Sequence, residues 1–370
     1  MIRRVLRAAI LLLTCGLIAS CGAKTGLRIP EYHMDAAVLP DAGHDAGFDA
    51  PICQPGHFPL TPETAELMLV IDRSASMLLT INGDSDQPED QWRWTILRTS
   101  LSDALTSLDP RVLVGAKFFP DPITTPTPTT EQACSSVSPI DVPVGPGTAP
   151  RIISLFRSTM PNGGTPTAVA LRAASLGVSS TGSRRFLLLA TDGAPNCNPD
   201  LPQDTCVCTS PPMACQAFRP GPYSCLDDVA ALAALRDISA RGIPTYVVGI
   251  EDLSRPDFSD VLDHMAEAGG RPRMAPGERE FYSVRSADQL HQALADITST
   301  ISACGFVTPS LPDTDAQFSI HIDGTTIPED AMNGWTWVDR PRGELELHGA
   351  ACTSARSGMT IEAIIDSCVR

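Results

Sequence analysis

The sequence predicts an α/β protein built on a doubly wound, mostly parallel sheet, with a small β appendage at the C-terminus. Three observations carry this. Short apolar runs at Leu67–Ile71, Val112–Phe119, Phe186–Ala190 and Ile243–Ile250 are the predicted strands. Stretches with apolar residues at helical spacing separate them, and such alternation builds parallel sheets covered by helices on both faces. After Cys304 the helical period stops and only two-residue alternation remains.

The elements follow in order. Arg3, Arg4 and Arg7 precede an apolar stretch from Ala8, and Ile18-Ala19-Ser20-Cys21 closes it with small residues before a cysteine. This resembles a bacterial lipobox, which makes residues 1–20 a signal peptide and Cys21 the lipidation site. The alternative is an ordinary secretory signal with an incidental cysteine. Residues 21–61 read as a flexible tether, with Asp-Ala-Gly repeated between Asp41 and Ala50 and little apolar content. The main domain spans 62–301. Trp94, Leu97, Leu101, Leu105 and Leu108 predict a helix over about 90–108. Residues 120–148 are a Pro/Thr-rich excursion, with an edge strand at Ile140–Val144 where Pro143 is tolerable.

Further helices are expected over Arg151–Met160 and from Pro166, just inside its first turn, to Leu176. Residues 194–226 form a Cys- and Pro-rich insertion. A helix over 227–240 stops at Gly242 and Pro244, a second covers Phe258–Ala268, and Glu280–Val284 is the last strand of the sheet. Ser286 and Gln289 form a capping box before Leu290, Ala293, Leu294, Ile297 and Ile301. Residues 304–370 are the β appendage. Phe318, Ile320 and Ile322 alternate, Asp323-Gly324 turns a hairpin, and Leu345–Leu347 and Ile361–Ile365 follow.

Composition narrows the function. The chain carries a net charge of −16, and losing Arg3, Arg4 and Arg7 with the signal makes it three units more negative. Such a surface disfavours nucleic acid and anionic headgroups. The lipid anchor is the only expected membrane contact. Of 12 cysteines, Cys15 leaves with the signal and Cys21 carries lipid, so an even set remains, which in an exported chain predicts disulfides. Cys352 with Cys368 is a candidate pair to staple the small appendage. Zinc bound by Cys197, Cys206, Cys208, Cys215 and Cys225 is the rival reading, although the spacings match no usual zinc knuckle.

The chemistry concentrates at strand ends. Asp72-Arg73-Ser74-Ala75-Ser76 follows the first strand, and Thr191-Asp192-Gly193 follows Phe186–Ala190. In open α/β sheets ligands bind beyond the carboxyl ends of strands, at the switch point of strand order. Gly163-Gly164-Thr165-Pro166-Thr167 precedes a helix. Taken singly, Asp72, Ser74 and Ser76 suit helix capping, and Thr191-Asp192-Gly193 suits a turn. The loop carrying Asp84, Asp86, Glu89 and Asp90 reads as either solvated or calcium-binding.

Together, Asp72-x-Ser74-x-Ser76, Thr165 and Asp192 resemble the metal-ion-dependent adhesion site of von Willebrand factor type A domains, over about residues 62–301. The resemblance implies that Ser74 and Ser76 ligate the metal directly, and that Asp72 and Asp192 ligate it directly or through water. Thr165 joins when ligand engages, with Thr167 its rival for that role. Magnesium suits such a set, and manganese or calcium are alternatives. With two charged ligands the metal retains positive charge for an acidic group of a partner. The resemblance therefore implies a cell-envelope binding or adhesion protein that engages a protein or polysaccharide. The two insertions are expected to rim the site and set partner choice without affecting metal binding. An exported hydrolase and a scaffold with a non-functional site are the alternatives. Seven histidines form no His-Glu-x-x-His, and no Gly-x-Ser-x-Gly occurs, so no enzyme is expected.

Overall fold

The computed structural model describes residues 53–179, 184–209, 215, 221–273, 277–311 and 318–368. The expected signal peptide, Cys21 and the Asp-Ala-Gly repeats lie outside them. The first described elements are two short strands, β1 (Gly56–Pro59) and β2 (Thr61–Pro62). The predicted tether therefore ends too late. Residues from Gly56 onward are ordered because their backbone groups pair with strands near the opposite end of the chain.

The central sheet comprises β3 (Ala65–Asp72), β4 (Val112–Phe119), β5 (Val142–Gly145), β6 (Arg185–Thr191), β7 (Thr245–Ile250) and β8 (Tyr282–Val284). Its strand order is β5-β4-β3-β6-β7-β8. β5 pairs antiparallel and all other pairs are parallel. The chain steps outward from β3 to β4, then returns to place β6 on the other side of β3. The β3–β6 boundary is therefore the switch point.

The helices are α1 (Arg93–Thr106), the single turn α2 (Thr130–Ala133), α3 (Ala149–Ser158), α4 (Thr167–Ser175), α5 (Asp228–Ser239), α6 (Asp257–Ala268) and α7 (Ala287–Ala303). Strand alternation sorts the core between them. Leu67, Leu69 and Ile71 of β3 face one way, into a cluster with Trp94, Leu97, Phe156, Leu290 and Ile297 from α1, α3 and α7. Met68 and Val70 face the other way, against Leu171, Leu235, Ile238, Leu262 and Met265 from α4, α5 and α6. Both faces of β3 are buried from Leu67 to Ile71, which is why that stretch is an uninterrupted apolar run rather than an alternating one.

Local expectations met small corrections. Pro166 lies one residue outside α4, at φ −76° and ψ 57°, and not within its first turn. The backbone there must first turn Thr165 toward the sheet edge. Ser286 accepts from the Gln289 backbone N–H at 3.2 Å, but the Gln289 side chain accepts from Arg285 N–H at 2.7 Å, so the box closes one residue early.

The C-terminal module contains β9 (Gly305–Val307), β10 (Phe318–Ile322), β11 (Thr325–Ile327), β12 (Trp335–Asp339), β13 (Glu344–Leu347), helix α8 (Gly349–Arg356) and β14 (Ile361–Ile365). Two four-stranded sheets, β1-β14-β10-β11 and β12-β13-β9-β2, pack around Phe318, Ile320, Trp335, Leu345 and Ile361. β1 and β2 thus complete both sheets, and the module is discontinuous in sequence. Asp323 (φ 46°) and Gly324 (φ 78°) make the expected hairpin turn between β10 and β11. Helix α8 was not expected. Its Gly-Ala-Ala-Cys-Thr-Ser-Ala-Arg sequence buries only Ala351 and Cys352, too few residues to make a helical period.

The predicted Cys352–Cys368 pairing is wrong. Cys368 bridges to Cys53, and Cys352 bridges to Cys304. β1 runs antiparallel to β14 with Gly56 opposite Ile365, which delivers Cys53 to Cys368, while α8 sets Cys352 against the end of α7. A bridge spanning 315 residues constrains the unfolded chain strongly. The Cys53→Ser/Cys368→Ser variant should lose about 2–5 kcal/mol of stability in denaturant titration. An unchanged midpoint would show that β1 holds its place without the bridge.

Candidate metal-binding site

The two central strands set the site. Ile71 of β3 lies opposite Ala190 of β6, so Asp72 falls beside Thr191. Thr191 Oγ1 donates to Asp72 Oδ2 at 2.6 Å, and Ser74 N–H donates to Asp72 Oδ1 at 2.8 Å. Alternation then separates the motif into two sides. Arg73 turns away, donating from Nε to the Pro120 carbonyl at 2.7 Å, while Ser74 Oγ lies 2.9 Å from Ser76 Oγ. Ser74, Ser76, Thr165 and Asp192 line one cleft of about 280 Å³ at this edge. Asp72 is wholly buried beneath it. Four of the five expected ligand residues therefore open on a common space, and the fifth, Asp72, is buried and bonded to the Ser74 N–H. Thr167 is buried at the start of α4, its hydroxyl 3.4 Å from the Thr165 carbonyl, and does not line the cleft.

Two residues missed in the sequence complete the electrostatics. Arg93, 1% exposed, donates from a terminal guanidinium nitrogen to Asp192 Oδ2 at 2.9 Å. Its other terminal nitrogen stands 2.9 Å from Asp252 Oδ2, in ion-pair range. A signal existed. Arg93 precedes Leu97 and Leu101 by four and eight residues, so it occupies the apolar stripe of α1, where a charge requires a partner. Nothing in the sequence identified Asp252, which follows β7 at the same edge.

The donor set fits a small hard divalent cation. It offers only carboxylate and hydroxyl oxygens. Asp192 Oδ1 is buried with no hydrogen-bond partner, while its Oδ2 is taken by Arg93. A buried carboxylate oxygen left without a donor is costly unless a cation satisfies it. Burial, and then the nearby negative charge of Asp192, push the Asp72 carboxyl up to about 7 from its ordinary 3.8, against the bonds from Thr191 and Ser74. Asp192 and Asp252 share the one guanidinium of Arg93, and Asp72 has only Thr191 and Ser74 as hydrogen-bond donors, so the edge has room for a divalent ion's charge.

The zinc alternative has no ligands. Cys197 bridges to Cys134, Cys206 to Cys225, and Cys208 to Cys215. The sulfurs of Cys206, Cys215 and Cys225 approach within 4.8 Å, but all are in disulfides, and zinc requires thiolates.

No protein-family model matches the chain, and no curated protein is significantly similar. Solved structures with related topology include the pilus adhesin SpaC from Lactobacillus rhamnosus GG, at 19% identity and a TM-score of 0.45, over 84% of this chain and 40% of that one. The chain thus spans about two fifths of that adhesin's length. They also include the manganese-loaded TRAP protein of Plasmodium vivax, at 16% identity and a TM-score of 0.39, covering 70% of this chain and 94% of that one. The conserved hypothetical protein BatB from Bacteroides thetaiotaomicron matches at 15% identity and a TM-score of 0.40, over 64% of this chain and 98% of that one. Likeness at this level leaves function to the residues themselves.

The raised carboxyl gives a signed pH dependence. In the absence of metal, Asp72 favours folding when protonated. That contribution is complete below its unfolded value near 3.8 and is lost as pH rises through about 7. In chelator, Asp72→Asn should therefore melt higher than the wild type at pH 8, and the gap should narrow as pH falls and close only near about pH 4. Parallel melting curves across that range would contradict the assigned burial of charge.

Proposed function

We propose that the chain is an exported, lipid-anchored binding protein of the cell envelope, a von Willebrand factor type A module that engages an acidic group on a protein or polysaccharide through a divalent metal. The observation that carries this is the convergence of Asp72, Ser74, Ser76, Thr165 and Asp192 at the switch point, with one buried carboxylate oxygen of Asp192 unpartnered. Five bridges joining all ten described cysteines accord with export. Lipid attachment at Cys21 rests on the lipobox-like sequence alone.

In this reading Ser74, Ser76, Thr165 and the two carboxylates hold the cation, which supplies a Lewis-acidic position for an incoming carboxylate. Arg93 keeps Asp192 and Asp252 from repelling each other and fixes which Asp192 oxygen faces the metal. The cleft of about 280 Å³ admits a side chain or a single sugar-sized group. The walls include Thr130, Asn196, Thr209, Tyr223 and Ser224. No step requires a general base or nucleophile, and the reading is non-enzymatic. Magnesium is the proposed ion, with manganese or calcium as the alternatives.

Titration of magnesium, manganese and calcium should raise the melting temperature of the wild type, by an amount equivalent to about 2.7 kcal/mol at a hundredfold excess over Kd. Asp72→Ala should abolish the rise. Absence of any metal effect in the wild type would overturn the assignment.

A further inference from the structure

The two insertions were expected to shape partner choice and leave metal binding alone. The structure places both of them against the turn that carries Thr165. Cys134, at the end of α2 in the first insertion, bridges to Cys197 in the second across 63 residues. That bridge lies on the Gly163-Gly164-Thr165 turn. A Cβ on Gly164 would collide with Cys197 Sγ and stand 3.0 Å from Cys134 Sγ and from Asn196 Oδ1. Gly163 has φ +87°, and a Cβ there would strike the Ala133 carbonyl. The two glycines are thus required by what the insertions press against them.

Hydrogen bonds repeat the pattern. Gly164 N–H donates to the Ala133 carbonyl at 2.9 Å. Thr165 N–H donates to Asn196 Oδ1 at 2.7 Å, and Asn196 N–H donates back to the Thr165 carbonyl at 2.9 Å. Both backbone polar groups of Thr165 are therefore held by one residue of the second insertion. Asn196 is itself fixed, donating from Nδ2 to Thr209 Oγ1 at 2.9 Å, and that hydroxyl donates to the Ser224 carbonyl at 2.9 Å. Cys197 adopts φ 79°, a left-handed conformation that a non-glycine residue keeps only where its surroundings impose it.

We propose that Asn196 and the Cys134–Cys197 bridge are positioning elements for Thr165, clamping its hydroxyl at the metal edge. The inference rests on the metal reading above. A ligand residue on a free loop must be ordered when the ion binds, and that cost weakens binding. Here two covalently linked insertions order it beforehand, so the site is built in one arrangement and does not depend on movement of this turn. The role is distinct from rimming the cleft for a partner, because it acts on the ion itself.

The test measures Mn²⁺ affinity of the full chain by electron paramagnetic resonance. The variants are Asn196→Ala, Cys134→Ser/Cys197→Ser and Thr165→Ala, with each of the first two also combined with Thr165→Ala. Melting in chelator checks folding, and Asn196→Ala retains every bridge should the cysteine variant fold poorly. Residues that orient a ligand typically change metal affinity by about 10–100-fold, and a weakening of that size is expected for each of the first two variants. Combined with Thr165→Ala they should weaken binding no further, because they act through that residue. Wild-type affinity in Asn196→Ala, or full additivity in the Thr165→Ala background, would overturn the inference while leaving the metal site standing. A wild type that binds no Mn²⁺ would overturn both.

Discussion

The pairing of β3 with β6 is the constraint on which the rest of the structure depends. Because β4 extends the sheet on one side of β3 and β6 on the other, the carboxyl ends of the two most apolar strands finish side by side. Their side chains alternate into separate cores, which fixes the register on both faces. A slip of one residue would exchange Leu69 with Val70 between the cores and carry Asp72 away from Thr191. Register in the apolar interior therefore determines which oxygens meet at the edge.

That edge holds more negative charge than its protein partners neutralise. Arg93 answers two carboxylates at once, Thr191 and Ser74 support Asp72, and one oxygen of Asp192 is left buried and bare. A site at this depth is stable only if something positive completes it or a proton is taken up. The displaced titration of Asp72 is the second of these solutions, and the proposed ion would be the first. The insertions reach the same edge through the Cys134–Cys197 disulfide and Asn196, which hold the turn that carries Thr165.

Much of this was legible in the sequence because it follows from local pattern. The strands leading to Asp72 and Asp192 contain unbroken apolar runs, whereas Asp72-x-Ser74-x-Ser76, Thr165 and Asp192 were read as one site through their resemblance to a known motif and not from spacing alone. What escaped depends on distant partners. Arg93 finds Asp192 and Asp252 far along the chain, and only its place in the apolar stripe of α1 hinted at burial. Gly56–Pro62 carries too few residues to announce strands, and becomes ordered only by pairing with β14 and β9. The bridge from Cys53 to Cys368 follows from that pairing, which residue spacing does not encode. Helix α8, rich in small residues, gives no period to read.

A bound ion can be located in a crystal. Crystals grown with manganese, measured at a wavelength where that metal scatters anomalously, should give a difference peak about 2.1 Å from Ser74 Oγ and Ser76 Oγ, facing Asp192. No peak there, or a single peak in the acidic loop around Asp84–Asp90, would rule out a metal site at this sheet edge.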